Sequence, residues 1–113
     1  MAYRYKELFE QLFESMMLPV VVGSFDDDEV PKYPFIEYHR GGRDYFNADD
    51  VVYQKTDIWE INIYSKKKDF ERHWDLVDNL EDLLDNYRVD YSVSADNFFD
   101  DVITTTFDLA LLR

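Results

Sequence analysis

Two histidines are the side chains of this sequence best suited to exchange a proton near neutral pH, and their surroundings set what chemistry is open to it. Acid–base or nucleophilic catalysis needs an imidazole within reach of a serine, cysteine or carboxylate. His39 falls in a strand-like run and His73 in a helix-like run, with no catalytic motif around either, so each reads as structural or exposed. Cysteine is absent, which removes a disulfide framework, a thiolate zinc site and a thiol nucleophile. Asp26-Asp27-Asp28-Glu29 offers hard oxygen ligands, but it lacks the spaced ligands and central glycine of a calcium loop, and Pro31 stiffens its end. Gly41-Gly42 is not set between a strand and a helix, the context in which backbone N–H groups cradle phosphate, and it reads as a turn. Lys66-Lys67-Lys68, beside Asp69, reads as a solubilising turn. No catalytic residue, cofactor or metal is expected, and the chain reads as a non-enzyme.

Charge is the second constraint. Against 25 acidic residues stand 12 basic ones, a formal net charge of -13, so the surface as a whole repels free nucleic acid. The acids cluster at Asp26–Glu29, at Asp49-Asp50, from Asp75 to Asp85, and at Asp96, Asp100 and Asp101. Most of this reads as solvated surface. The functional alternative is one negative surface, with Asp26, Asp27, Asp28 and Glu29 as its candidate residues, which either repels DNA sliding past or imitates DNA for a basic partner. The aromatic content of 18% has no basic groove to make it a base-stacking platform, and core packing is its expected role.

The elements that must position these residues follow from periodicity. At 113 residues and 46% hydrophobic content, one domain over 1–113 is expected. Apolar residues near the N-terminus are spaced by charges, unlike a secretory signal, and no apolar run approaches the roughly 20 residues of a spanning helix, so a soluble protein with no membrane contact is expected. Tyr5, Leu8, Phe9, Leu12, Phe13 and Met16 follow helical spacing, and Pro19 ends that helix. Leu18–Val22 reads as a short buried strand and Gly23–Lys32 as a polar loop. In Pro34–Arg40, alternation puts Phe35, Glu37 and His39 on one face and Ile36 and Tyr38 on the other, which reads as a sheet edge or a shared face rather than a deep interior. Val51–Tyr53 and Thr56–Ser65 form one long strand, with or without a bulge, or two, and Trp59, Ile61 and Ile63 face the core. Asp69 is the candidate N-cap of a second helix reaching about Asn86, with Phe70, Trp74, Val77, Leu80 and Leu84 on its apolar face. Strands at Val89–Val93 and Val102–Leu112 follow, joined by the polar connector Ser94–Asp101. The fold class is therefore α+β, one antiparallel or mixed sheet packed with two amphipathic helices in the order α-β-β-β-α-β-β.

Between the strands, the segment after Gly41-Gly42 carries two large rings in otherwise polar surroundings. Tyr45 and Phe46 either fold back onto the sheet or meet a neighbouring subunit, and Arg40, Arg43, Asp44, Tyr45 and Phe46 are the candidate interface loop.

The order of elements, with Leu18-Pro19-Val20, Pro34-Phe35-Ile36-Glu37-Tyr38, the Asp44–Asp49 turn and Ile61–Asp69 entering the second helix, resembles the small tail-completion or tail-terminator proteins of long, flexible-tailed bacteriophages of Gram-positive hosts. That resemblance implies an α+β subunit forming a ring, usually of six, at the head-proximal end of the tail tube. Its partners would be itself, the major tail-tube protein and a head-connector or head-completion protein, with DNA passing through without specific binding. Its location would be the virion neck, after assembly in the host cytoplasm. Another neck connector ring and an acidic DNA mimic that inhibits a nucleic-acid enzyme are the alternatives.

Overall fold

A computed structural model describes residues 5–23, 30–48 and 51–112, the side chains of 43–48, 51–55 and 112 excepted. Asp26, Asp27, Asp28 and Glu29 lie outside the described residues, as do the side chains of Arg43, Asp44, Tyr45 and Phe46. The elements are α1 (Tyr5–Met16), β1 (Val20–Val22), β2 (Phe35–Ala48), β3 (Val51–Lys66), a 3-10 turn at Lys67–Asp69, α2 (Phe70–Asn86), β4 (Asp90–Val93), β5 (Asn97–Phe99) and β6 (Val102–Leu112). This is an α+β fold with one mixed sheet in the order β1-β2-β3-β6-β4, and β5 also pairs with β6. Only β1 and β2 run parallel. The expected order holds apart from β5, which lies inside the segment read as a polar connector.

Both helices cover one face of this sheet. Leu8, Phe9, Leu12, Phe13 and Met16 of α1 are buried, as their spacing requires, and Phe9 meets Tyr38 and Trp59 at ring-centroid distances of 4.8 and 5.3 Å. On the facing strands, Ile36, Trp59, Ile61, Ile63, Phe107, Leu109 and Leu111 complete the core with Leu80 and Leu84 of α2. Trp59, Ile61 and Ile63 point as their alternation predicts.

Four local expectations are corrected. Strand β1 was expected to be buried, but Val20 and Val22 are exposed because, among the described strands, β1 pairs only with β2 and forms the sheet edge. Conversely β2 is not an edge: it runs between β1 and β3, and Phe35, Ile36 and Glu37 are all buried. The polar face of β2 escapes the usual penalty because its groups pair with those of adjacent strands.

Third, Gly41-Gly42 does not turn the chain. It is a bulge, with the register shifting between Arg40 and Gly42, and the strand continues to Ala48 opposite Val51. The candidate interface segment therefore belongs to a long hairpin, and β3 is one strand rather than two. Among the described residues β6 reaches as far as Thr56 on β3, and the outer part of the hairpin is two strands wide. The molecule measures 52 × 29 × 24 Å.

Fourth, α2 turns its inner face through His73, Leu80 and Leu84, leaving Phe70 and Trp74 half exposed on its flank. Asp69 holds the N-cap position as expected, but its side chain makes no capping hydrogen bond. Its φ of -102° and ψ of 35°, set by the 3-10 turn before it, depart from the extended backbone from which a cap side chain reaches back to the helix.

Candidate interaction surfaces

Two polar networks satisfy the buried groups of the sheet, one on each side. On the face away from the helices, cross-strand pairing brings Glu37 opposite Asn62, Asn62 opposite Thr106, and His39 opposite Glu60. Thr106 Oγ1 donates to Asn62 Oδ1 at 2.6 Å, and Asn62 Nδ2 donates to Glu37 Oε1 at 2.8 Å. His39 lies between two carboxylates, Nδ1 at 2.7 Å from Glu37 Oε2 and Nε2 at 2.5 Å from Glu60 Oε2. Because a carboxylate oxygen can only accept, both ring nitrogens donate, which describes an imidazolium. The hydrogen bond to Glu37 is the largest cause raising the His39 pKa above its ordinary value, and Glu60 adds to it.

Beneath α2 the second histidine has the reverse environment. Thr105 Oγ1 donates its proton to Asp96 Oδ1 at 2.6 Å, so it must accept from His73 Nε2 at 2.8 Å. Burial disfavours a second proton on the ring, so His73 Nδ1 accepts from the Ser65 hydroxyl at 2.7 Å. With one nitrogen donating and one accepting, His73 is neutral. Burial pushes its pKa down, opposed by the charge of Asp96. The serine–histidine pair resembles a nucleophile and base, yet Ser65, His73 and Thr105 are all sealed from solvent, so no substrate can reach them. The pair belongs to the buried polar network beneath α2. Among the described residues there is no group of three or more acidic, histidine or cysteine side chains arranged to hold a metal ion.

This inner network reaches the surface at one point. Asp96 Oδ2 accepts from Trp74 Nε1 at 2.8 Å and so fixes the half-exposed indole. Phe70 meets Trp74 edge-on at 5.1 Å, and Lys67 Nζ lies 5.7 Å from the centroid of the Phe98 ring. Together with Lys68 and Asp101 these side chains line an open groove of about 630 Å³. Phe99, 79% exposed, follows Phe98 on β5 and by strand alternation projects from the other face of the sheet. The β5–β6 hairpin that presents Phe98 and Phe99 turns through Asp100 at a φ of 54°, a left-handed conformation that aspartate tolerates better than most residues.

A second apolar patch lies at the opposite edge of the sheet. Val20 and Val22 project from β1 on the helix side, and Met17 is 88% exposed. Met17 closes α1 at a φ of 56°, donating its N–H to the Phe13 carbonyl at 3.1 Å, a helix end where glycine is the usual residue. The valines line a groove of about 530 Å³ against Phe9, Phe13 and Glu10 of α1. Three strands separate β1 from β5, so the patches stand on edges roughly 19 Å apart at about 4.8 Å per strand spacing.

Arg40, the described side chain of the candidate interface loop, is exposed on β2. Both apolar patches are described from residues outside that loop. Sequence reasoning missed both: it assigned Phe70 and Trp74 to the core, read β1 as buried, and placed Phe98 and Phe99 in a polar connector. The signal available was the Asp100-Asp101 pair between Phe99 and Val102, a two-residue turn that would have marked a hairpin.

No protein-family model matches the chain, and no curated protein matches it. It is similar to a solved structure that carries no descriptive name, with a TM-score of 0.55 and 14% identity over 96% of this chain and 95% of the other. At that identity the likeness is one of fold.

Proposed function

We propose that this protein is a ring-forming structural subunit of a bacteriophage neck, a tail terminator or tail-completion protein that caps the tail tube and joins it to the head. The observation that carries the proposal is the pair of unlike apolar patches on opposite edges of one sheet. A two-fold dimer buries the same patch on both partners, whereas unlike patches pair head to tail, and a head-to-tail contact closes into a ring when its rotation permits. The outer hairpin strengthens the reading, because a two-stranded ribbon is marginal alone and gains by lying on a neighbour. The net charge of -13 fits a ring through which DNA slides without adhering.

Solution mass measured by light scattering, paired with negative-stain images, tests this reading with the protein alone and with tail-tube protein. Closed rings are the expected result, forming at high protein concentration or on the tube. A strict monomer under both conditions would remove the proposal. Stoichiometric, salt-sensitive inhibition of a nuclease or polymerase by such a monomer would favour the DNA mimic.

A further inference from the structure

We infer that the two apolar patches are the two halves of one subunit contact: the Met17, Val20 and Val22 edge of one copy seats in the Trp74–Phe98 groove of the next. This rests on the ring reading and specifies its interface. Three observations select a second copy as the occupant. The groove is walled by fixed rings, Trp74 held by Asp96 and Phe98 beneath Lys67, whereas the opposite edge offers aliphatic side chains of a size to enter it. Preorganised aromatic pockets of this kind commonly carry a disproportionate share of binding energy.

Charge supplies the second argument. Lys67 and Lys68 outnumber Asp101 around the groove in a chain that is otherwise acidic, while at the valine edge Lys6 is outnumbered by Glu10, which lines it, and the exposed Glu14 one helical turn on. Joining unlike patches sets lysine toward glutamate. Joining like patches sets lysine against lysine, which costs energy and selects against a two-fold dimer. Position supplies the third: both patches lie on the helix side of the sheet at its two lateral edges, so each copy offers one half to either neighbour and the contact repeats.

The absence of cysteine makes a direct test available. Val22→Cys and Phe98→Cys, both at exposed positions, are prepared separately and treated with a short bis-maleimide, alone and mixed. The mixture is expected to give at least tenfold more covalent dimer than either variant alone. In parallel, Val22→Asp and Phe98→Asp should each abolish rings with an unchanged melting temperature, and mixing the two should yield a species of two subunits, since one intact contact remains between them. Wild-type rings that survive both Asp substitutions, with no cross-linking in the mixture, would overturn the pairing and leave the ring reading standing. Cross-linked mixed dimers without rings in any preparation would uphold the pairing and overturn closure. Neither rings nor mixed dimers would overturn both.

Discussion

His39 and His73 lie on opposite sides of one sheet, and their neighbours give the same ring opposite protonation states. His39 faces carboxylates through both nitrogens and holds its proton, with more than a third of its side chain exposed. His73 sits between two hydroxyls, fully buried, and stays neutral. The contrast teaches that a polar group is made tolerable in this fold in two ways. On the outer face charge meets charge at a half-wet surface, while under α2 a chain of hydroxyls supplies one donor and one acceptor and no net charge is buried. The inner network is the one that reaches the surface groove, because it ends at Asp96 and the Trp74 indole.

The contrast is broken most directly at His73. Replacing it by alanine leaves a cavity beneath α2 and removes a partner from both Ser65 and Thr105, so a loss of about 3 kcal/mol is expected from urea unfolding. The pH dependence has a definite sign. Since the folded pKa lies below the unfolded value of 6.5, the unfolded chain takes up the proton first as pH falls, and stability drops from about pH 6.5 downward. His73→Ala should lose that part of the acid slope. A smaller loss than at His39 would mean the sealed network is not the stiffer of the two.

His39→Ala should cost less, about 1 kcal/mol, because Glu37 keeps its bond from Asn62 and water can reach Glu60. Here the sign reverses. A folded pKa above 6.5 contributes stability that is complete below pH 6.5 and is lost as pH rises through the folded value. Wild type and His39→Ala should therefore converge in stability at alkaline pH, and chemical-shift titration of the two rings should place His39 above 6.5 and His73 below it. Both titrating on the same side of 6.5 would erase the contrast.

Much of this was legible in the sequence, and the reason differs by region. Helix α1 and the core face of β3 are read directly from period, because one side of each is dry and the other wet. The alternation of β2 correctly put Glu37 and His39 on one face, but the sequence could not say that the strand is interior, since that depends on Asn62, 25 residues away, supplying the partner that makes burial cheap. The face of α2 was misjudged for a related reason. Phe70 and Trp74 outrank His73 in hydrophobicity, and only Ser65 and Thr105, from two different strands, make the histidine the better inward residue. The edge position of β1 is equally invisible, because three valines read the same whether a helix covers them or not.

The smallest effect is expected at Lys66, and it sharpens the comparison by separating charge pairing from burial. Lys66 Nζ lies 3.0 Å from Asp101 Oδ2, with 38% and 72% of the two side chains exposed, and each partner shifts the other's pKa toward the charged form. Geometrically this pair is as direct as His39 with Glu37. Solvent and salt screen it, and holding a long lysine in one rotamer offsets the attraction, so Lys66→Gln should leave the melting temperature unchanged at low and at high salt. If charge pairing alone stabilised the outer face of the sheet, Lys66→Gln and His39→Ala would cost alike. A loss confined to His39→Ala would instead assign the stabilisation to the buried half of its network, where Glu37 and Asn62 have no water to replace what the ring supplies.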